Sequence, residues 1–364
     1  MTGKKRVRVV VVLPFLSGEG GTETVVNEWM SYFKKTSNFD VSFLLPQGSM
    51  RDHWYTESES VKVFRFAQVF RNVHFLRNFF GALWLALKIL STSADEVICL
   101  STKLIYEVSY LQRIFHKKFK LVSWIHFSLR HGQDINLEDL KKADFHLAIS
   151  SGIQSQMRQI GIEESKIRRI GNPLSKAEHI IPSSTDSLIR FVYSGRVFVD
   201  GEKNLRELVS GLAELNKYSK RWTLDVFGDG PDMAEFKALM TRKGIFDQVI
   251  LHGWVKHPFE QLSNADCLVL TSKYEGFGMV LAEAIARGVP VISSDCPTGP
   301  ADIVNENNGY LYKPGSVRML TEKLILIVGG KKKFNHKLLP ETVSEFYSDS
   351  YFKRLEKSLV YFSH

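Results

Sequence analysis

The sequence predicts an α/β protein made of two Rossmann-like domains, each built on a parallel sheet. Three observations carry that expectation. The apolar runs are continuous and β-branched, as in RVRVVVVLPF (Arg6–Phe15), which marks strands buried on both faces. Such runs alternate along the chain with segments of helical apolar spacing. The alternation stops after Asn172-Pro173, crosses a segment holding Pro182, Ser183, Ser184 and Thr185, and restarts at RFVYSGR (Arg190–Arg196). The expected organisation is a first domain over 1–173, a linker over 174–188, a second domain over 189–340 and a terminal helix over 341–364. At 364 residues the chain has room for two buried cores.

In the first half, the opening strand runs into Gly18, Gly20 and Gly21. A helix over Thr22–Lys35 follows, with Val25, Val26, Trp29 and Phe33 on one face. The dinucleotide spacing G-x-G-x-x-G is absent, because Glu23 stands where a third glycine would fall. Val41–Pro46 and Val61–Phe66 read as strands, with a polar loop carrying His53 and Trp54 between them. Phe70–Leu90 mixes Arg71, Arg77 and Lys88 with many apolar residues, and reads either as a core helix or as a basic, aromatic membrane-surface helix. Glu96–Ser101 is a strand, followed by a helix to about His116. Lys120–His126 is a strand that ends on a histidine. Phe145–Ser150 leads into a helix over Ser151–Ile160 capped by Ser150 or Ser151.

In the second half, Leu205–Tyr218 is helical with Leu208, Leu212 and Leu215 inward. Thr223–Pro231 reads as strand, glycine turn and helix start. Val249–Trp254 is a strand, then a short helix passes through Phe259 and Leu262. Cys267–Ser272 is a buried strand, and a helix begins near Met279 with Leu281, Ala284 and Ile285 on one face. Val289–Asp295 and GYLYK are strands flanking a short helix in GPADIV; Ser316–Val328 is helical, and Lys331–Lys333 reads as a solvated turn. The tail places Phe346, Tyr351, Phe352 and Leu359 at helical spacing.

Composition narrows the class. Hydrophobic residues make up 44% and charged residues 24%, as in an ordinary globular protein. Cys99, Cys267 and Cys296 lie in or beside apolar runs and read as buried thiols of a reducing cytoplasm. No Cys-x-x-Cys or His/Cys cluster points to metal. No apolar run is long enough to span a bilayer, and no cleavage site follows Lys4, Lys5, Arg6 and Arg8. The net charge of +9 is uneven: residues 1–175 hold 24 Lys and Arg against 16 Asp and Glu, the remainder 24 against 23. That asymmetry suits an acidic partner. The basic residues are scattered, without a nucleic-acid reading motif, so the expected partner is an anionic membrane or a phosphorylated acceptor rather than nucleic acid.

The chemistry concentrates in Thr271–Val304. A strand, a loop with Gly276 and Gly278, and a helix N-terminus follow in order, with Glu275 before the helix and Glu283 inside it. Helix N-termini bind anions through unpartnered N–H groups, and glycines admit a ligand to the backbone. Carboxylates nearby are suited to accept hydrogen bonds from hydroxyls. Phosphates plus hydroxyls describe a nucleotide sugar. Taken alone, two acids at this spacing are more often solvated surface carboxylates, and it is the surrounding residues that reverse that reading.

E-G-F-G-x-x-x-x-E between a strand and a helix resembles the E-x7-E motif of retaining glycosyltransferases of family four, which have the GT-B fold. The likeness extends along most of the chain. It implies two Rossmann-like domains facing across a cleft, an acceptor-binding first domain, a nucleotide-sugar-binding second domain and a terminal helix crossing back to the first. The catalytic set it implies is His126, Arg196, Lys203 and Glu275: the histidine near the donor sugar, Arg196 and Lys203 on the diphosphate, Glu275 on sugar hydroxyls. The donor is then expected to touch Gly20, Gly21, Gly195, Gly228, Trp254, Val255, Gly276, Phe277, Gly278, Met279 and Val280, with Glu283 on the ribose. No D-x-D motif stands where a metal-dependent transferase carries one, so metal independence is expected and no cofactor is implied.

The C-P-T-G-P turn in DCPTGPADIV resembles a subset using UDP-galactose or UDP-N-acetylhexosamine, so UDP-galactose, UDP-GalNAc, UDP-glucose and UDP-GlcNAc are the expected donors. The expected acceptor is a cell-envelope glycan, polysaccharide or lipid-linked glycan, reached from the cytoplasm at the inner face of the membrane. Retention implies attack from the leaving-group side; double displacement would need a carboxylate opposite the leaving group. One departure is His126-Phe127, where the family often has His-Asp or His-Asn, which leaves the acceptor side open; His131 is a weaker acceptor-side candidate. A non-catalytic partner of another transferase and a sugar-nucleotide epimerase are the competing classes.

Overall fold

The computed structural model describes residues 6–363, other than 19, 37, 57, 66–68, 70–72, 133 and 331–333. The chain forms two compact units, Met1–Pro173 with Tyr351–His364, and Leu174–Ser350. The first holds seven parallel strands: β1 (Val7–Val12), β2 (Phe39–Leu45), β3 (Val61–Val63), β4 (Glu96–Cys99), β5 (Lys120–Ile125), β6 (Phe145–Ala148) and β7 (Ile167–Arg169). Their order across the sheet is β3-β2-β1-β4-β5-β6-β7. β1 is central, in register with Val41–Leu44 on one side and Glu96–Cys99 on the other. Its Val9–Val12 are buried, as a strand covered on both faces requires.

Up to Pro173, the helices among the described residues of this unit include α1 (Gly21–Phe33), α2 (His74–Ser91), α3 (Thr102–Ile114), α4 (Leu137–Leu140) and α5 (Ser151–Gln159). Serine hydroxyls start two of them: Ser101 accepts from the Leu104 N–H, and Ser150, not Ser151, accepts from the Ile153 N–H. Each cap residue stands two positions past the end of a strand, so the strand–helix turn is short.

The second unit holds six parallel strands: β8 (Ile189–Ser194), β9 (Trp222–Phe227), β10 (Val249–Gly253), β11 (Cys267–Leu270), β12 (Val291–Ser294) and β13 (Gly309–Tyr312). Their order is β10-β9-β8-β11-β12-β13. The helices are α6 (Leu205–Tyr218), α7 (Met233–Arg242), α8 (Met279–Ala286), α9 (Pro300–Ile303) and α10 (Val317–Val328). The stretch through Phe259 forms only a 3-10 turn, Pro258–Gln261. Leu208 and Leu212 of α6, Trp222 and Leu224 of β9, and Leu320 and Leu324 of α10 meet in one fully buried core.

In both sheets the strand order reverses once, between β1 and β4 and between β8 and β11. Ligands of such sheets bind beyond the strand ends at these reversals. The loops that follow β1, β8 and β11 therefore stand where a substrate is expected.

Three elements differ from the sequence expectation. The tail is not one helix: a 3-10 segment, Leu339–Phe346, breaks at Val343, and a separate helix α11 (Ser348–Phe362) follows. Phe346 packs against Phe277 of the second unit, whereas Tyr351, Phe352 and Leu359 are buried in the first. The third strand ends at Val63, short of Phe66. Arg77, one of the cations on which the membrane-surface reading of this helix rested, is buried with Gly81, Leu85 and Ile89 on the inward face of α2. Its guanidinium lies 3.9 Å from the centroid of the Phe15 ring. Positions 77, 81, 85 and 89 form one helical stripe, and the exposed Phe75, Phe79, Leu83 and Leu87 fall two positions away, on the opposite face. Arg71 and Lys331–Lys333 lie outside the described residues.

Candidate active site

The loops after β8 and β11 bring three of the expected residues together. The Lys203 ammonium lies 2.7 Å from Glu275 Oε1 and 2.9 Å from Glu202 Oε1. Glu202 reaches Arg196 with its other oxygen, Oε2, at 3.2 Å from Nη2. The Ser272 hydroxyl donates to Glu275 Oε1 at 2.7 Å. Lys203 and Glu275 are largely buried, with side chains 14% and 10% exposed, while Arg196 is 64% exposed. Burial alone would lower Lys203, but Glu275 and Glu202 outweigh it and hold the ammonium above the usual lysine range.

The backbone around this cluster is fixed by side-chain contacts. Thr271 Oγ1 donates to the carbonyls of Lys203 and Asn204, at 3.0 and 3.1 Å. That ties the β11 end to the residue before α6. Thr298, inside the C-P-T-G-P turn, donates to the Glu275 carbonyl, and Ser294 donates to the Ser272 carbonyl at 2.5 Å. Gly278 caps α8 at φ +88°, a backbone conformation that suits glycine, and so lets the chain turn from the Glu275 loop into the helix. At Gly228 the constraint is space: a Cβ there would stand 1.9 Å from the Gly195 carbonyl oxygen. The loops after β8 and β9 thus meet backbone to backbone.

Phe277 is buried, while Met279, Val280 and Glu283 are half-buried at the start of α8. Burial pushes the Glu283 carboxyl up, opposed by Arg287 and His257. Trp254 is exposed just after β10, beside Val255, and the Gly228 N–H donates to the neighbouring Gly253 carbonyl at 2.7 Å. Among the described residues no three His, Cys, Asp or Glu side chains converge as a metal-ligand set.

The remaining expected residues belong to the first unit. Gly20 precedes α1 and Gly21 opens it. The loop before them is held by Glu23, whose Oε1 accepts from Ser17 Oγ at 2.8 Å and from the Gly18 N–H at 2.7 Å. His126 follows β5 and is buried, with Nε2 lacking a hydrogen-bond partner among the described residues. Burial lowers its pKa to about 3, so the ring is neutral at ordinary pH. His131 Nδ1 lies 3.3 Å from Ser128 Oγ. Glu202, Ser272 and Thr298 were not singled out from the sequence. Glu202 adjoins Lys203 and could have been; the others acquire their contacts only through folding.

A family profile described as Glycosyl transferases group 1 matches residues 179–338. Along nearly its whole length the chain is 33% identical to the lipopolysaccharide 1,6-galactosyltransferase of Salmonella typhimurium, over 97% of this chain and 98% of that protein. The chain belongs to the group 1 glycosyl transferases. The Escherichia coli protein of the same description is 31% identical, with 97% and 98% covered. The solved apo form of lipopolysaccharide outer core galactosyltransferase WaaB matches with a TM-score of 0.84 at 31% identity, covering 97% of this chain and 99% of that one. Anabaena HepE, solved with UDP, shares the fold at 17% identity, with a TM-score of 0.72 over 96% and 99% of the two chains. As a group 1 glycosyl transferase the protein is an enzyme, a retaining hexosyltransferase with two Rossmann-like domains of the GT-B type.

Proposed function

We propose that the enzyme transfers galactose, with retention, from UDP-galactose to a hydroxyl of a lipid-linked cell-envelope glycan of the lipopolysaccharide core type. The observation that carries this reading is the Lys203 ammonium shared by Glu275 and Glu202, with Arg196 on the other oxygen of Glu202. Two cations are thereby held side by side where a diphosphate is expected. Their charge opposes the negative charge that grows on the leaving phosphate as the glycosidic bond breaks. Glu275 Oε1 is engaged by Lys203 and Ser272, which leaves Oε2 to accept sugar hydroxyls. The N–H groups of Phe277, Gly278 and Met279 complete the anion site, and the desolvated Glu283 carboxyl takes the ribose hydroxyls. His126, neutral and with Nε2 unpartnered, serves the donor sugar. The departing phosphate oxygen takes the acceptor proton, so no metal and no enzymatic nucleophile are required. Likeness to the lipopolysaccharide galactosyltransferases over the whole chain supports the choice of sugar and acceptor.

The test is a panel of UDP-galactose, UDP-GalNAc, UDP-glucose, UDP-GlcNAc and the corresponding GDP- and ADP-sugars. Nucleotide release and product mass are read, and the new anomeric centre is assigned by NMR. Preference for another donor, or inversion, overturns the reading.

The first unit supports a membrane-facing role. On α2, Phe75, Phe79, Leu83 and Leu87 form an outward stripe, with Phe75 77% exposed. On α3, which packs beside α2, Tyr106, Tyr110 and Ile114 are also exposed, with Phe115 just after. Lys88, Lys103 and Arg113 lie on the same two helices. No described helix is long and apolar enough to cross a membrane. Large apolar side chains with interspersed cations suit the interface of an anionic membrane, where a lipid-linked acceptor would present itself on the cytoplasmic side.

A further inference from the structure

A continuous buried contact runs from α11 to the strand end that carries His126. Trp29, on the inward face of α1, donates its indole N–H to the Tyr351 hydroxyl at 2.8 Å. Trp29 stacks on Trp124 of β5, with ring centroids 3.8 Å apart and 22° between planes. Trp124 meets the His126 ring edge-on at 4.5 Å. Trp29, Trp124 and Tyr351 are fully buried, and His126 nearly so.

The hydrogen bonding along this path is uneven. Among the described residues, neither Trp124 Nε1 nor His126 Nε2 has a partner. The orientation of those two rings therefore rests on packing, while the Trp29 end of the stack is pinned by a hydrogen bond. Close-packed interiors transmit a displaced ring to its neighbours instead of absorbing it.

We propose that Tyr351 is a positioning residue for the transfer reaction, setting the orientation of His126 through the Trp29–Trp124 stack. The functional part rests on the reading of His126 as sugar-facing. The structural part, a Tyr351-dependent histidine ring, stands independently of it. Tyr351→Phe keeps the ring and removes the acceptor, leaving the Trp29 N–H buried and unpaired. Such a donor is costly, whereas deleting both partners can be nearly neutral. Tyr351→Phe with Trp29→Phe is therefore the informative double variant.

The experiment labels histidine at Cε1 and follows the His126 signal, assigned with His126→Gln, together with donor kinetics. Tyr351→Phe is expected to shift that signal and to lower kcat about 5- to 30-fold, as a cost of 1–2 kcal/mol on the transition state gives. KM for the donor should stay within about twofold, because the diphosphate and ribose contacts are untouched. The double variant should recover stability but neither readout, because it too lacks the hydrogen bond that pins the stack. Glu356→Gln weakens a different α11 contact, the 2.9 Å hydrogen bond from Tyr32, and should move neither readout. An unmoved His126 signal in Tyr351→Phe overturns the coupling. A shifted signal with wild-type kcat overturns the positioning role. If His126→Gln itself transfers at the wild-type rate, the sugar-facing assignment fails, while the signal shift still decides the coupling. Should Tyr351→Phe fold poorly, Trp29→Phe removes the same hydrogen bond from the other side and is judged by the same two readouts.

Discussion

Lys203→Met deletes the charge at the centre of the candidate site while keeping a side chain of similar length. Two contacts are lost, at 2.7 Å to Glu275 and 2.9 Å to Glu202. Glu275 is 10% exposed and Glu202 23%, so solvent compensates only in part. Removing one partner of a buried ion pair costs about 3–5 kcal/mol, and partial access to water brings this site somewhat below that range, to roughly 2–3 kcal/mol. If the ammonium also opposes charge on the leaving diphosphate, transfer loses a further 3–4 kcal/mol or so of stabilisation, about 10²- to 10³-fold in rate. Denaturant unfolding and UDP release separate the two effects. Lys203→Met combined with Glu275→Gln should then regain stability and not activity. Turnover within about threefold of wild type would refute the diphosphate assignment. An unchanged unfolding midpoint would refute the ion pair as a stabilising element.

Glu275→Gln is expected to cut transfer about 10²-fold or more and to destabilise by about 1–3 kcal/mol, since Lys203 keeps only Glu202; activity close to wild type would remove it from the site. Glu96 is fully buried and accepts from Ser363 at 2.6 Å, and burial pushes its carboxyl up to about 8, helped by Asp95 and opposed by Ser363. Between the ordinary 4.5 and about 8 the folded protein keeps a proton that the unfolded chain has lost, so stability should fall with rising pH across that window, by on the order of a few kcal/mol. Glu96→Gln should flatten this slope in denaturation curves at pH 5, 7 and 9; parallel slopes would refute the assignment. Phe79→Ser with Leu83→Ser should weaken binding to anionic vesicles at least tenfold, given about 1.5–3 kcal/mol per large apolar group, without lowering the unfolding midpoint; equal vesicle binding would return the stripe to an ordinary exposed surface. Turnover should persist in EDTA; a loss restored by a divalent ion would overturn metal independence.

The alternation of strands and helices was legible because buried parallel strands need unbroken apolar runs, and β1 and β11 have them. The loops carrying Arg196, Lys203 and Glu275 could be placed because each follows such a run. Their partnerships could not. Lys203 and Glu275 are 72 positions apart, and Trp29 and Tyr351 are 322 apart, so no local pattern joins them. The inward turn of Arg77 was hidden for a related reason. A helix with apolar residues nearly all round has two candidate inner faces, and the choice depends on what lies beneath; here a guanidinium covers the Phe15 ring. The tail misled through periodicity: Phe346 and Tyr351 share helical spacing, but the backbone turns extended at Tyr347 between two separate helical segments.

The return of residues 351–363 to the first unit has a consequence for synthesis. The second unit is one uninterrupted segment, so its core can close as soon as it leaves the ribosome. The first unit cannot. Until Tyr351, Phe352, Leu355, Leu359 and Phe362 arrive, the surfaces they fill are open and the Trp29 N–H is unpaired. The half that is translated first is therefore the half completed last. In that interval a nascent chain exposes apolar surface on its older part, which is when a chaperone would find it.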